Sequence, residues 1–402
     1  MIQSDLKDFP TSKFHLEITN MTKSKKLNIG MVCYPSVGGS GIVATLLGTE
    51  LAKLGHKVHF ISYEEPFALD TNNKNIFFHQ VTFNGYELFK YPDYTLPLAV
   101  KMLDVAKKFK LDILHVHYAV PHATAALLAK DIARREGIPF PNVVTTLHGT
   151  DITLLARDKT VMPVIKYSIE SSCGVTAVSL SLKKDTIKNL KTKKDIEVIH
   201  NFYTPKEISI KRDRIRKDLG LTDSDFVVIH LSNMRPVKRI PDLLEIISKV
   251  KSNKNIKLLI LAGGDFDQYL PLVKKFKIEK NIIVRKNVRD IENYINAGDL
   301  GLYTSGEESF GMGILETMSY GKPVLATNAG GIPEFMQNGK TGFLFKVGEV
   351  DSFAEKLLEL SKNNELVNKL GVNAKERASQ GFFADKIVNE YLDYYYKISC
   401  NK

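Results

Sequence analysis

Short apolar runs recur along the chain, and most lead through a glycine-bearing or charged turn into a stretch with apolar residues three and four apart. Residues 27–34 (LNIGMVCY) read as a buried strand, 35–41 (PSVGGSG) as a loop, and 42–54 as a helix ended by Gly55; 57–62 (KVHFIS) is the next strand. A strand–helix–strand opening predicts a parallel sheet. Further strands are predicted at 111–118, 143–147, 175–179 and 196–202, and the lysine-rich stretch 206–218 reads as a linker. A second set starts at 226–231 (FVVIHL) and continues at 257–262, 281–285, 300–304 and 323–326, with a helix near 240–250 and final helices near 351–362, 364–378 and 384–398. The pattern predicts an α/β chain of two Rossmann-like halves. Residues 1–26 are polar and lack periodicity, and are expected to form a disordered leader.

Composition narrows the class. The 402 residues suffice for two domains, and a hydrophobic fraction of 44% with 25% charged residues is that of a soluble globular protein. No apolar run is long enough to span a bilayer and no signal-peptide core stands at the N-terminus. Cys33, Cys173 and Cys400 lie far apart without metal or redox spacing, which points to a reducing, cytoplasmic setting. The net charge of +11 suits nucleic acid, an anionic membrane or small polyanionic substrates. The lysines at 107–110 and 183–194 read as solvated faces, and no basic motif is interleaved with aromatics, so nucleic acid is not expected as a partner.

Candidate chemistry gathers in residues 300–345 (LGLYTSGEESFGMGILETMSYGKPVLATNAGGIPEFMQNGKTGFLF). Two glycine-containing turns follow strands here, each at or near a helix start, where unpartnered amides and the helix dipole hold anions. Glu308 and Glu316 flank that place, so a diphosphate with a sugar on either side would suit it: phosphate on amides, hydroxyls on carboxylates. Farther upstream, the loop Gly38–Gly39–Ser40–Gly41 fails the dinucleotide spacing but still lets backbone approach an anion closely; a plain tight turn is the alternative. His115 and His117 share one face of their strand, but no further ligand is in view and no metal is expected. Tyr118 and His148, at two separate strand ends, point to one crevice. Arg235 and Lys238 follow another strand and suit a diphosphate, whereas Arg239 reads as solvated.

Glu308-Ser309-Phe310-Gly311, the seven residues between Glu308 and Glu316, and Gly330-Gly331-Ile332-Pro333-Glu334 resemble the acid-pair signature of the retaining GT-B glycosyltransferases of family 4. The resemblance covers nearly the whole chain from Leu27 and extends to CYPSVGGSG, LDILHVHYAVPHA, VTTLHGTDIT and SNMRPVKR. It implies a GT-B fold, with an acceptor-side domain of residues 27–204 to which 380–402 return, facing a nucleotide-sugar domain of 205–379 across a deep cleft. The members it most resembles move N-acetylglucosamine from UDP-GlcNAc to the hydroxyl of L-malate, the first step of bacillithiol biosynthesis, without a metal or other cofactor. By resemblance Glu316 would hold the ribose hydroxyls and Glu308 the sugar hydroxyls, beside Ser309, Phe310 and Gly311. Arg235 and Lys238 would neutralise the leaving diphosphate, and Gly39 and Gly41 would touch it. Ser40, Tyr118, Thr146 and His148 would hold the acceptor, with Asn201 lining the cleft. Glu308, His148, Arg235 and Lys238 form the expected catalytic set, acting by front-face attack. His200 is a departure, since family members more often carry an aromatic residue there. Alternatives are a family relative with a lipid-linked or inositol-type acceptor, and a non-catalytic nucleotide-sugar sensor; stable membrane association is not expected, and a homo-oligomer is compatible with this reading.

Overall fold

The computed structural model describes residues 25–36, 39–67, 69–82, 94–155, 158–253 and 255–400. Gly38 of the glycine loop and residues 1–24 of the expected leader lie outside them. Lys25 and Lys26, assigned above to that leader, are described, and Lys25 is tied down: its ammonium sits 2.9 Å from Asp112, and its carbonyl accepts from the Tyr396 hydroxyl.

The strand–helix alternation builds two all-parallel sheets. The first contains β1 (Asn28–Val32), β2 (Lys57–Ser62), β3 (Ile76–Gln80), β4 (Ile113–His117), β5 (Asn142–Leu147), β6 (Gly174–Ala177) and β7 (Glu197–Val198), in the order β3-β2-β1-β4-β5-β6-β7. The second contains β8 (Phe226–Asn233), β9 (Ile256–Gly263), β10 (Ile282–Lys286), β11 (Leu300–Tyr303), β12 (Val324–Thr327) and β13 (Gly342–Phe345), in the order β10-β9-β8-β11-β12-β13. Strand order reverses between β1 and β4 in one sheet and between β8 and β11 in the other. Loops at the carboxyl ends of strands diverge at such a point and leave a crevice. Buried strands explain the apolar runs: Val227, Val228, Ile229, Leu258, Leu259 and Ile260 are fully enclosed. The helix Ile240–Val250 buries Ile240, Leu243, Leu244, Ile246, Ile247 and Val250 on one face, and each such side chain contributes about 1.5–3 kcal/mol before entropy is counted. Among the described residues no helix is long and apolar enough to cross a membrane.

Three sequence readings need correction. Residues 206–218 are not simply a solvated linker: 212–218 form a helix whose Arg216 is buried and donates to the carbonyls of Ala297, Thr222 and Asp225. Strands β3 and β13 were not read from the sequence; both are edge strands with most side chains only half-buried, as is β10, which its apolar run did mark. The run 196–202 yields a strand of only two residues.

The last helix, Ala384–Cys400, crosses back to the first sheet, where Ile387, Val388, Tyr391 and Tyr395 join the core of Leu27, Ile29, Met31 and Phe202. The Tyr395 hydroxyl and His115 Nδ1 share a hydrogen bond of 2.6 Å inside that core. The preceding helix, Asn364–Gly381, packs instead on the second sheet's side through Val367 and Leu370. Replacing Tyr395 by Phe leaves a buried imidazole nitrogen without its partner; the expected loss is about 1–3 kcal/mol, read as a lower urea midpoint.

Candidate active site between the two sheets

On the first-sheet side, the chain leaves β1 and enters the helix Ser40–Lys53 at Gly39. A side chain at Gly41 would put its Cβ 2.6 Å from the Tyr34 carbonyl oxygen, so the loop folds tightly under the helix start. Tyr118 follows β4. Burial raises the pKa of its hydroxyl; the Ser40 and Thr150 hydroxyls and the Arg235 charge oppose that rise, and the Asp151 charge adds to it. Arg235 Nη1 also donates to Thr150 Oγ1 at 3.4 Å. Ser40, Tyr118, Thr150 and Arg235 therefore converge, three from the first domain and one from the second.

His148 follows β5, half-buried, its ring 5.4 Å from that of Tyr118 and its Nε2 2.7 Å from His117 Nδ1. Burial, with the neighbouring His122 as a lesser cause, lowers its pKa to about 3, so the ring is neutral at physiological pH. Asp151, which drew no assignment from the sequence, fastens this region. It is buried, and its carboxylate accepts from the amides of Gly149 (3.1 Å) and Ala119 (3.2 Å), joining the loops that carry His148 and Tyr118. Burial pushes its pKa up to about 6, against the pull of those amides. The signal available was a carboxylate just after a glycine at a strand end. Thr146 is not positioned to touch an acceptor: it is fully buried, with its hydroxyl held by His115 Nε2 and Thr176 Oγ1, both at 2.6 Å. His115 is thereby committed to the core, and among the described residues no group of three or more His, Cys, Asp or Glu is placed to hold a metal. Asn201 is buried, and its Oδ1 has no hydrogen-bond partner among the described residues.

On the second-sheet side, Lys238 donates to Glu308 Oε2 at 2.5 Å, and Ser305 Oγ lies 3.3 Å from the same oxygen. Arg239, read as solvated, turns away to Asp242 at 2.7 Å. The loop bearing Glu308 is held by the turn Gly330–Gly331. The Gly331 amide donates to the Glu308 carbonyl at 2.9 Å, and a Cβ on Gly330 would fall 1.8 Å from that oxygen. Phe310 cannot offer its ring to a ligand, since it is buried against Phe335 (4.9 Å) and Phe382 (5.9 Å). Gly311 precedes the helix Met312–Ser319, whose first amides have no partner within the helix. Glu316 lies on that helix, half-buried, and its carboxylate makes no hydrogen bond among the described residues. Dense surroundings raise its pKa to about 7, with the Lys206 charge pulling the other way.

The two halves match two family models: "Glycosyltransferase Family 4" over residues 37–207 and "Glycosyl transferases group 1" over residues 211–377. The chain is 43% identical over 376 residues to the N-acetyl-alpha-D-glucosaminyl L-malate synthase of Bacillus anthracis, covering 93% of this chain and 97% of that protein. The chain belongs to family 4 of the GT-B glycosyltransferases. Among solved structures it resembles a glycosyltransferase from Rickettsia africae (TM-score 0.77, 23% identity, 94% of this chain and 100% of the other). It also resembles Anabaena HepE in complex with UDP-glucose (TM-score 0.75, 22% identity, 92% and 100%).

In this glycosyltransferase the two domains are tied by a residue that the sequence placed only in a motif. Glu334 accepts from the amides of Leu180 and Ser181, each at 2.8 Å, at the start of the helix Leu180–Leu190, and from His200 Nε2 at 3.0 Å. The histidine that departs from the family pattern is thus half of an interdomain contact. A carboxylate at a helix N-terminus is stabilised by free amides and the dipole. Burial works to raise the Glu334 pKa, but the bonds from His200 and the two amides outweigh it and hold it below the ordinary value of 4.5. A lowered carboxylate pKa contributes stability above the unfolded value, and that contribution is lost as pH falls through the folded value. Glu334→Gln should therefore be less stable than the parent at pH 7, with the gap closing as the pH drops below about 4.5, measured by urea unfolding across pH.

Proposed function

We propose that this glycosyltransferase moves N-acetylglucosamine from UDP-GlcNAc to the hydroxyl of L-malate, with retention of configuration. The similarity to a GlcNAc–malate synthase over almost the full length of both chains carries this reading, and the chemistry of the site supports it. Arg235 and Lys238 supply cationic donors for a diphosphate. The hydroxyls of Ser40, Tyr118 and Thr150, with the amides at the start of the helix Ser40–Lys53, suit a small dicarboxylate. Lys238 and Glu308 neutralise each other in the structure. Donor binding exchanges these partners: the ammonium goes to phosphate, and Glu308 accepts from sugar hydroxyls. The second carboxylate, Glu316, takes the ribose hydroxyls, and Gly39, Gly41, Ser309 and Gly311 bring backbone close to the donor. Asn201, with an unpartnered buried oxygen, borders the cleft.

Charge stabilisation and positioning then drive the reaction. The C1–O bond to the diphosphate breaks as the malate hydroxyl approaches the same face, and the departing phosphate oxygen takes the hydroxyl proton. No covalent sugar–enzyme bond forms. The absence of disulfide or metal-type cysteine spacing and the demand for a nucleotide sugar fit a cytoplasmic enzyme.

UDP release from UDP-GlcNAc, measured with L-malate, D-malate, myo-inositol or no acceptor, tests the assignment. Strong release with L-malate alone and an α-linked product is expected; UDP binding without malate-dependent release would remove the acceptor assignment. A second expectation follows from Glu316. With a pKa near 7 the free enzyme holds a proton there that must leave before the carboxylate can accept from ribose hydroxyls. UDP affinity should fall about tenfold between pH 8 and pH 6, and Glu316→Gln should flatten that dependence, as read by titration calorimetry.

A further inference from the structure

Behind the cleft, three side chains form a directional series. His117 is fully buried with both ring nitrogens engaged: Nε2 lies 3.1 Å from Met31 Sδ and Nδ1 lies 2.7 Å from His148 Nε2. A thioether sulfur has lone pairs and no hydrogen to give. The hydrogen in the first contact therefore belongs to His117 Nε2; the opposite tautomer would set a nitrogen lone pair against the sulfur. Burial keeps His117 neutral, so its Nδ1 carries the lone pair, and the hydrogen in the 2.7 Å contact must come from His148 Nε2. His148 is neutral as well, which leaves its Nδ1 bare. That nitrogen has no hydrogen-bond partner among the described residues, on the one ring of the pair that is not fully buried, beside Tyr118.

The neighbours do not offer another way to set the tautomer. His115 is committed to Tyr395 and Thr146, and His122 gives its Nδ1 hydrogen to the His117 carbonyl. Asp151 bonds to backbone amides, not to either ring.

We infer that Met31 is a positioning residue: through His117 it locks His148 in the Nε2–H tautomer, so that His148 meets its substrate as a hydrogen-bond acceptor only. Such a nitrogen takes a hydroxyl and gives nothing to a carboxylate or a phosphate. Within the proposed reaction, on which this part rests, the hydroxyl is that of malate or one on the donor sugar, and the carboxylates of malate go to the Ser40, Tyr118 and Thr150 hydroxyls. The tautomer itself does not depend on which substrates are used.

Imidazole nitrogen NMR on the full chain, labelled at histidine and without substrate, reads it directly, with a His148→Gln sample to assign the signals. The wild-type protein should show both His117 and His148 in the Nε2–H form at neutral pH. Finding His148 in the Nδ1–H form overturns the inference, even where malate-dependent transfer is intact. Met31→Leu keeps an apolar side chain of similar size but removes the acceptor. It should shift both rings toward a tautomer mixture and lower kcat/KM about tenfold, with calorimetric UDP affinity unchanged. A rise in the malate KM alone places the hydroxyl on the acceptor, and a rise in the UDP-GlcNAc KM alone places it on the donor sugar. A Met31→Leu protein with lowered thermal stability but unaltered tautomers and kinetics would reduce Met31 to a packing residue and overturn the inference. If no malate-dependent transfer is found, the wild-type spectrum still decides the tautomer.

Discussion

The site depends on how closely two strand-end turns approach each other across the domain boundary. Gly149, just after β5, faces Ser309, in the loop after β11: a Cβ on Gly149 would lie 1.7 Å from the Ser309 hydroxyl oxygen. No other residue type leaves room for that approach, and the backbone at Gly149, with φ of +119°, is one that side-chain-bearing residues rarely adopt. Below this contact Val178 and Leu182 of the first domain share one continuous apolar cluster with Phe310, Ile332, Phe335 and Phe382. Glu334 adds a polar tie across the same boundary. The closeness at Gly149 lets Arg235, carried by the second sheet, reach Thr150 of the first.

Around that contact, burial and charge divide the work. Histidines 115, 117, 122 and 148 are all held neutral by burial, so the first-domain wall presents hydroxyls and lone pairs rather than cations. The cationic character comes from the second domain, through Arg235 and Lys238, and Lys238 is already matched to Glu308. The net charge of +11 is therefore a poor guide to the site: lysines such as Lys107, Lys108, Lys184 and Lys188 lie exposed on the first domain's surface, where screening makes their charge weak. A glycosyl-transfer site needs donors aimed at the departing diphosphate more than it needs overall charge.

Much of this was legible in the sequence, for a physical reason. In parallel sheets the apolar runs mark the strands, and whatever follows a strand's carboxyl end falls at the crevice; Tyr118, His148, Arg235 and Glu308 follow β4, β5, β8 and β11 in this way. Interior strands read clearly because both faces are buried, whereas among the half-exposed edge strands β10 was legible and β3 and β13 were not. A motif shows which residues sit near a site but not which way they point, and the side chains of Thr146 and Phe310 are both enclosed in the core. Asp151 and Glu334 act by accepting from backbone amides, those of Ala119 and of Leu180 and Ser181 respectively, and an amide leaves no mark in a sequence. The Met31–His117–His148 series spans 117 positions and was equally hidden, since nothing links a methionine on β1 to a histidine beyond β5 until the sheet is assembled.

The measurement that bears most directly on assembly across the boundary is the transfer rate of Gly149→Ala, alone and combined with Ser309→Gly, with UDP binding followed in parallel. If the close approach of the two turns builds the site, Gly149→Ala loses most transfer while still binding UDP, because the charged side chains proposed for the donor, Arg235, Lys238, Glu308 and Glu316, all belong to the second domain. Ser309→Gly, which removes the obstructing hydroxyl, then restores part of the rate, the strain of a side chain at a φ of +119° remaining. Wild-type transfer in Gly149→Ala would contradict the account, because the site would then not require this contact.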